Sequence, residues 1–177
     1  NIDDEISSLT SIVSDIEIEL LDLSKQLNNN RVKAIPNLVN NLQDILCDLG
    51  MKSAQFLIEI IPEDKFLFNG MDKLEFKFSA NKGSDFKLLK QSASGGEISR
   101  IMLAIKSIIA NYKKLPTLMF DEIDTGVSGE VSNKIGDIMK EMSSRMQIFT
   151  ITHLPQIAAK GESHFKVYKT ESDNSTT

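Results

Sequence analysis

From Ile2 onward the apolar residues fall at Ile2, Ile6, Leu9, Val13, Ile16, Leu20, Leu23 and Leu27, in alternating steps of four and three. A repeat of about 3.5 residues predicts a helix that pairs with another along a narrow stripe, as in a coiled coil. A helix lying on its own globular domain shows a wider apolar face. Asn28-Asn29-Asn30 interrupts the pattern and predicts a boundary. The chain is thereby divided into a coiled-coil arm, residues 1–30, and a globular lobe, residues 31–177.

Within the lobe, Ile35, Leu38, Val39, Leu42, Ile45, Leu46 and Leu49 predict a second helix, with Pro36 in its first turn and Gly50 ending it. Strands are predicted over 56–60 and 74–78, the second alternating apolar and charged residues, with a turn at Asn69-Gly70. After a basic loop over 81–90 the pattern reads helix over 95–112, strand over 117–120, helix over 130–142 and strand over 147–152. A short helix after Pro155 and a strand over 165–169 complete it. Strands alternating with helices predict an α/β fold with a mainly parallel sheet. The polar tail, 171–177, is expected to fray.

The chain has 177 residues, 41% hydrophobic and 25% charged, which excludes disordered, collagen-like and disulfide-scaffold classes. Its one cysteine, Cys47, cannot form an internal disulfide, so a reducing cytoplasm is the expected compartment. No apolar run is long enough for a membrane-spanning helix, and no membrane partner is expected. No basic-then-apolar leader opens the chain, and a first residue of Asn1 rather than Met fits a segment of a longer protein. The net charge of −5 argues against non-specific nucleic-acid binding. Its distribution is uneven: residues 1–30 carry seven acids against Lys25 alone, whereas residues 82–114 carry seven bases against two acids. Any contact with nucleic-acid phosphates is therefore expected in that basic block.

Three segments carry candidate chemistry. Ser94-Gly95-Gly96-Glu97 opens a predicted helix. Its paired glycines let backbone N–H groups approach a ligand, and the helix N-terminus favours an anion such as phosphate. The same four residues also read as a capping box, which needs no ligand. Second, Thr117-Leu118-Met119-Phe120-Asp121-Glu122 is an apolar strand ending in two acids, at the strand edge where parallel sheets bind ligands. One carboxylate can hold Mg²⁺ while the other takes a proton from an attacking water, although acids after a strand are also common in plain turns. Third, Gln147-Ile148-Phe149-Thr150-Ile151-Thr152 delivers His153 to the same edge, where it is either structural or functional. His164 has no such placement.

In this order the three segments resemble the second half of an ABC-type ATPase head: signature motif at Ala93 to Glu97, Walker B at Leu118 to Glu122, switch histidine at His153. The wording is similar to the RecN family, SMC-like bacterial DNA-repair ATPases, in three long runs. They run from Ser92 through Ser94-Gly95-Gly96-Glu97 to Lys106, from Phe120-Asp121-Glu122-Ile123-Asp124 to Gly129, and from Thr150-Ile151-Thr152-His153 to Ala159. Transporter D-loops typically end in an aspartate. Here Thr125, Gly126, Val127 and Ser128 stand at the comparable positions, which favours the RecN branch.

The resemblance implies the C-terminal lobe of an ABC/SMC-type P-loop ATPase head, preceded by the returning arm of its coiled coil. It implies ATP and Mg²⁺ as ligands, with Asp121 on the metal, Glu122 as catalytic base and His153 at the γ-phosphate. Ser94, Gly95, Gly96 and Glu97 would meet the nucleotide of an opposite head, with Asp124 as a D-loop contributor. The implied partners are an N-terminal Walker A lobe of the same protein, a second head in an ATP-dependent dimer, and DNA. The implied location is the bacterial cytoplasm, at the nucleoid. The sequence contains no Gly-x-x-x-x-Gly-Lys-Ser/Thr window, so this lobe alone is expected to be inactive. Two other readings stay open: a non-catalytic coiled-coil docking or dimerisation module, and a hydrolase whose metal is held by Asp121, Glu122, Asp124 and His153.

Overall fold

The structure is a computed structural model that describes residues 2–89, 95–121, 123–168, 171–172 and 175–176. The chain forms two compact units, Asn1–Gly95 and Gly96–Thr177.

The first unit opens with helix α1, Ile2–Asp48. The predicted interruption at Asn28-Asn29-Asn30 does not occur, and Pro36 sits inside the helix rather than in a first turn. Asparagine costs a helix only about 0.6 kcal/mol relative to alanine, and tertiary contacts at this point offset that cost. Asn28 donates from Nδ2 to Asp72 Oδ1 at 2.9 Å, and Arg31 Nη1 pairs with Asp72 Oδ2 at 2.9 Å. Arg31 Nη2 also reaches the Asn69 carbonyl at 2.7 Å. Gly50 ends the helix as predicted. Its φ of 79° is the left-handed conformation glycine favours, and the Gly50 and Met51 N–H groups donate back to the Cys47 and Leu46 carbonyls.

Strands β1, Gln55–Leu67, and β2, Gly70–Ser79, pair antiparallel and turn at Phe68-Asn69, with Leu67 opposite Gly70. Pro62 is tolerated in β1 because β1 is an edge strand, where a missing N–H need not break a ladder bond. Strand β3, Lys87–Leu88, within the predicted basic loop, adds to the free side of β2. Phe56 lies opposite Phe78, and their rings pack at 6.1 Å. These two residues and Ile58 are buried, as are Leu42 and Leu46 of α1 and Leu49 just beyond its end. Toward its start the same helix is different: Ile2, Ile6, Leu9, Val13 and Ile16 are all exposed.

The second unit contains α2 (Gly95–Ala110), β4 (Thr117–Asp121), α3 (Gly129–Ser143), β5 (Gln147–Ile151) and the single turn α4 (Pro155–Ala158). Strands β4 and β5 run parallel, Thr117 beside Gln147 and Asp121 beside Ile151. Parallel strands need a crossover, which α3 supplies. Ser128 caps α3 by accepting from the Val131 N–H. Helix α4 packs against α3 at Gly136, where a Cβ would lie 3.5 Å from the Gln156 carbonyl oxygen.

The fold is thus mixed helix and sheet, with parallel pairing confined to β4 and β5 among the described residues. The strand predicted over 165–169 does not form over its described residues, 165–168. Phe165, Val167 and Tyr168 are exposed, and among the described residues no strand pairs with them. The tail, expected to fray, carries a two-residue ladder between β6 (Glu171–Ser172) and β7 (Ser175–Thr176). No helix among the described residues is long and apolar enough to cross a membrane.

Candidate functional site

Strands β4 and β5 end side by side, so the segments that follow them emerge together at one edge of the parallel pair. Asp121 is the last residue of β4 and is exposed. Glu122 lies outside the described residues. Beyond it the chain turns inward, burying Ile123 and Asp124. After β5, Thr152 and His153 extend to meet them.

Asp124 is the hub. Its Oδ2 accepts a hydrogen bond from the Thr152 hydroxyl and another from the His153 backbone N–H at 3.1 Å. The His153 ring nitrogen Nδ1 lies 3.3 Å from the same oxygen. Thr152 Oγ1 in turn accepts from the Leu154 N–H at 3.1 Å, closing the turn that leads to α4. Burial pushes the Asp124 carboxyl upward, but the Thr152 and backbone hydrogen bonds and the nearby histidine outweigh it, and the net shift is below the usual carboxylate value. The carboxylate is sequestered while the imidazole is offered outward: the Asp124 side chain is 2% exposed and that of His153 is 74% exposed.

The third segment joins at Gly96, in the first turn of α2. A Cβ on Gly96 would sit 3.0 Å from the Thr125 carbonyl oxygen, so the glycine permits the α2 start to lie against the backbone just after Asp124. Gly126 completes that loop with φ of 71°, and Gly95, next to Gly96 in sequence, is exposed. Glu97 and Arg100 follow on α2. Burial lowers the Arg100 guanidinium pKa and Glu97 opposes the shift, while Arg100 Nε is buried with no hydrogen-bond partner among the described residues. Ser94 lies outside the described residues, so the capping box rests on sequence alone.

The structure therefore links Gly96, Asp124 and His153 through backbone and side-chain contacts. Thr152 was read in the sequence only as part of a strand. Its signal was a hydroxyl residue directly before a histidine at a strand end, which serves equally well as ordinary β-sheet composition. For the metal-hydrolase reading, no group of three His, Cys, Asp or Glu is placed to hold an ion among the described residues. The Asp124 oxygen nearest His153 is already engaged by Thr152 and backbone.

No protein-family model matches the chain. Among curated proteins, it is 38% identical over 161 residues to the DNA repair protein RecN of Rickettsia bellii, covering 91% of this chain and 29% of that protein. It is also 38% identical over 173 residues to the DNA repair protein RecN of Halalkalibacterium halodurans, covering 96% of this chain and 31% of the relative. The chain spans about three tenths of the length of these relatives. Among solved structures, the Pyrococcus furiosus Smc head domain with an extended coiled coil, bound to the C-terminal domain of ScpA, aligns with a TM-score of 0.61. The identity is 21%, over 90% of this chain and 39% of that one. The fold is that of SMC head domains.

Proposed function

The chain belongs to the RecN family over the segment it shares with those proteins, their C-terminal region, and from that premise we propose that it forms the C-terminal lobe of an ABC/SMC-type ATPase head acting in double-strand-break repair. One observation carries the reading. The segments that resemble signature motif and switch histidine are far apart in sequence, yet both reach the loop that follows the Walker B-like strand: Gly96 abuts the Thr125 carbonyl and His153 abuts Asp124.

Asp121, an exposed carboxylate at the carboxyl end of a parallel strand, has donor chemistry that fits Mg²⁺ with most of its waters kept. When bound, the ion supplies charge neutralisation for the nucleotide phosphates. Glu122 acts as base toward the attacking water, and His153 holds the γ-phosphate and orients that water. Ser94, Gly95, Gly96 and Glu97 face the nucleotide of an opposite head. Catalysis of this kind comes from positioning and oriented charge rather than covalent chemistry. An N-terminal lobe supplies Walker A, residues 1–30 pair with the other arm of the coiled coil, and the assembled protein works on DNA at the cytoplasmic nucleoid.

A second reading, a non-catalytic docking or dimerisation module, draws on the exposed stripe Ile2, Ile6, Leu9, Val13 and Ile16. Glu122→Gln in the full-length protein separates the two. The ATPase reading expects ATP binding to persist, turnover to fall at least about 100-fold, and an ATP-dependent dimer to accumulate by light scattering. Turnover at the parental rate would remove Glu122 from the mechanism.

A further inference from the structure

Asp124 and Thr152 are placed as no plain surface turn requires. The carboxylate is buried, it lies one strand-end away from the histidine it touches, and a single oxygen, Oδ2, receives the Thr152 hydroxyl, the His153 N–H and the His153 ring edge. One of those contacts fixes the His153 backbone, one its ring, and the third ties the Thr152 hydroxyl to the same oxygen. The hydroxyl does double duty: by accepting from Leu154 N–H it fixes where the chain leaves the site, and by donating to Asp124 it holds the carboxylate in register with the imidazole.

We propose that Asp124 and Thr152 are a positioning pair that holds His153 with its Nδ1 protonated toward the buried carboxylate and its Nε2 turned to the phosphate side. The inference rests on the function proposed above and adds residues that act through His153 without touching the nucleotide. A neutral imidazole carries one N–H, and the atom that bears it is set by the partner of the other nitrogen. A carboxylate is acceptor-only when ionised, so Asp124 selects the Nδ1–H form. Nε2 is then free to accept from water. To donate to a phosphate oxygen the ring needs an N–H at Nε2, and a ring held with Nδ1 toward a carboxylate already turns that nitrogen outward. The exposure of His153 leaves that face accessible.

The test uses this chain with ¹⁵N-labelled histidine, with His164→Gln to leave His153 as the only signal. Nitrogen chemical shifts at a pH where the ring is neutral report which atom carries the proton. The expected result is the Nδ1–H form in the parent and a shift toward the Nε2–H form in Asp124→Asn. Asparagine can still accept from Thr152 and the backbone, so the fold is expected to persist. Thr152→Val should loosen the same preference and Thr152→Ser should restore it, which a purely structural role of the threonine methyl would not do. In a head reconstituted with a Walker A lobe, Asp124→Asn is expected to lower turnover about 10- to 100-fold, as loss of partners that orient metal-bound histidines does. An Nε2–H parent, or an Asn variant with an unchanged tautomer, would overturn the pair. A changed tautomer with unchanged turnover in an active head would overturn its role in positioning. A head inactive even with parental Asp124 would instead overturn the ATPase reading, since the nitrogen shifts are read without nucleotide.

Discussion

Each unit buries one aspartate in a pivotal place, and the two are satisfied in opposite ways. Asp72, in the first unit, meets Asn28 and Arg31, which reach it from a helix forty residues earlier in the chain. Both are side chains of α1 spent on packing: they fasten α1 to the hairpin and draw the helix through a run of asparagines. Asp124, in the second unit, meets a hydroxyl, a backbone N–H and an exposed imidazole. Its contacts present a functional group to solvent. A buried carboxylate closed off by an arginine acts as a fastener, whereas one that leaves its partner's far side open is suited to aim that partner.

The largest effect expected from breaking this contrast is at the fastener. Arg31→Ala leaves Asp72 buried without its cation, which typically costs about 3–5 kcal/mol. The remaining Asn28 bond puts the expected loss near the lower end, read as a drop in the urea midpoint and faster amide exchange in β1 and β2. A loss below about 1 kcal/mol would mean that the asparagine run is helical for another reason. The acid dependence of Asp124 is a smaller effect and sharpens the comparison. Its folded pKa lies below the ordinary 3.8, so its ionised form stabilises the native state above that value. The contribution fades as pH falls toward and through the lower folded value. Asp124→Asn lacks it, so the stability gap between parent and variant should be full at pH 7 and narrow below about pH 4. A gap independent of pH would show that the carboxylate charge is not what the site uses.

The second unit was the more legible in sequence, and its elements explain why. Strands 117–120 and 147–152 are short apolar runs bounded by turns, and the structure ends them within one residue of the expected positions. Helix-start chemistry at Pro155 is local and survives folding, while the Ser128 cap of α3 emerged only in the structure. What escaped was non-local. Asn28-Asn29-Asn30 reads as a breaker because its partner, Asp72, is forty-odd residues away. The segment 165–168 has strand composition, but pairing requires a neighbouring edge that composition does not record. At the site, the placement of Asp121 and His153 at neighbouring strand ends was legible, whereas the glycines were read as room for a ligand and Gly96 lies against the Thr125 carbonyl. The Asp124–Thr152 link was not legible, because a hydrogen bond across 28 residues leaves no periodic trace. The heptad stripe of α1 was read correctly as apolar and remains exposed over its first turns. Periodicity identifies a sticky face and says nothing of what covers it.

The central claim, that this chain is half of a split ATPase head, is tested most directly by ATP turnover of the chain alone and mixed with a P-loop-bearing N-terminal lobe that carries the matching coiled-coil arm. The account predicts no turnover by either part, activity in the mixture, and loss of that activity with Glu122→Gln. Turnover by this chain alone that survives Glu122→Gln, or a mixture that assembles yet stays silent, would contradict it.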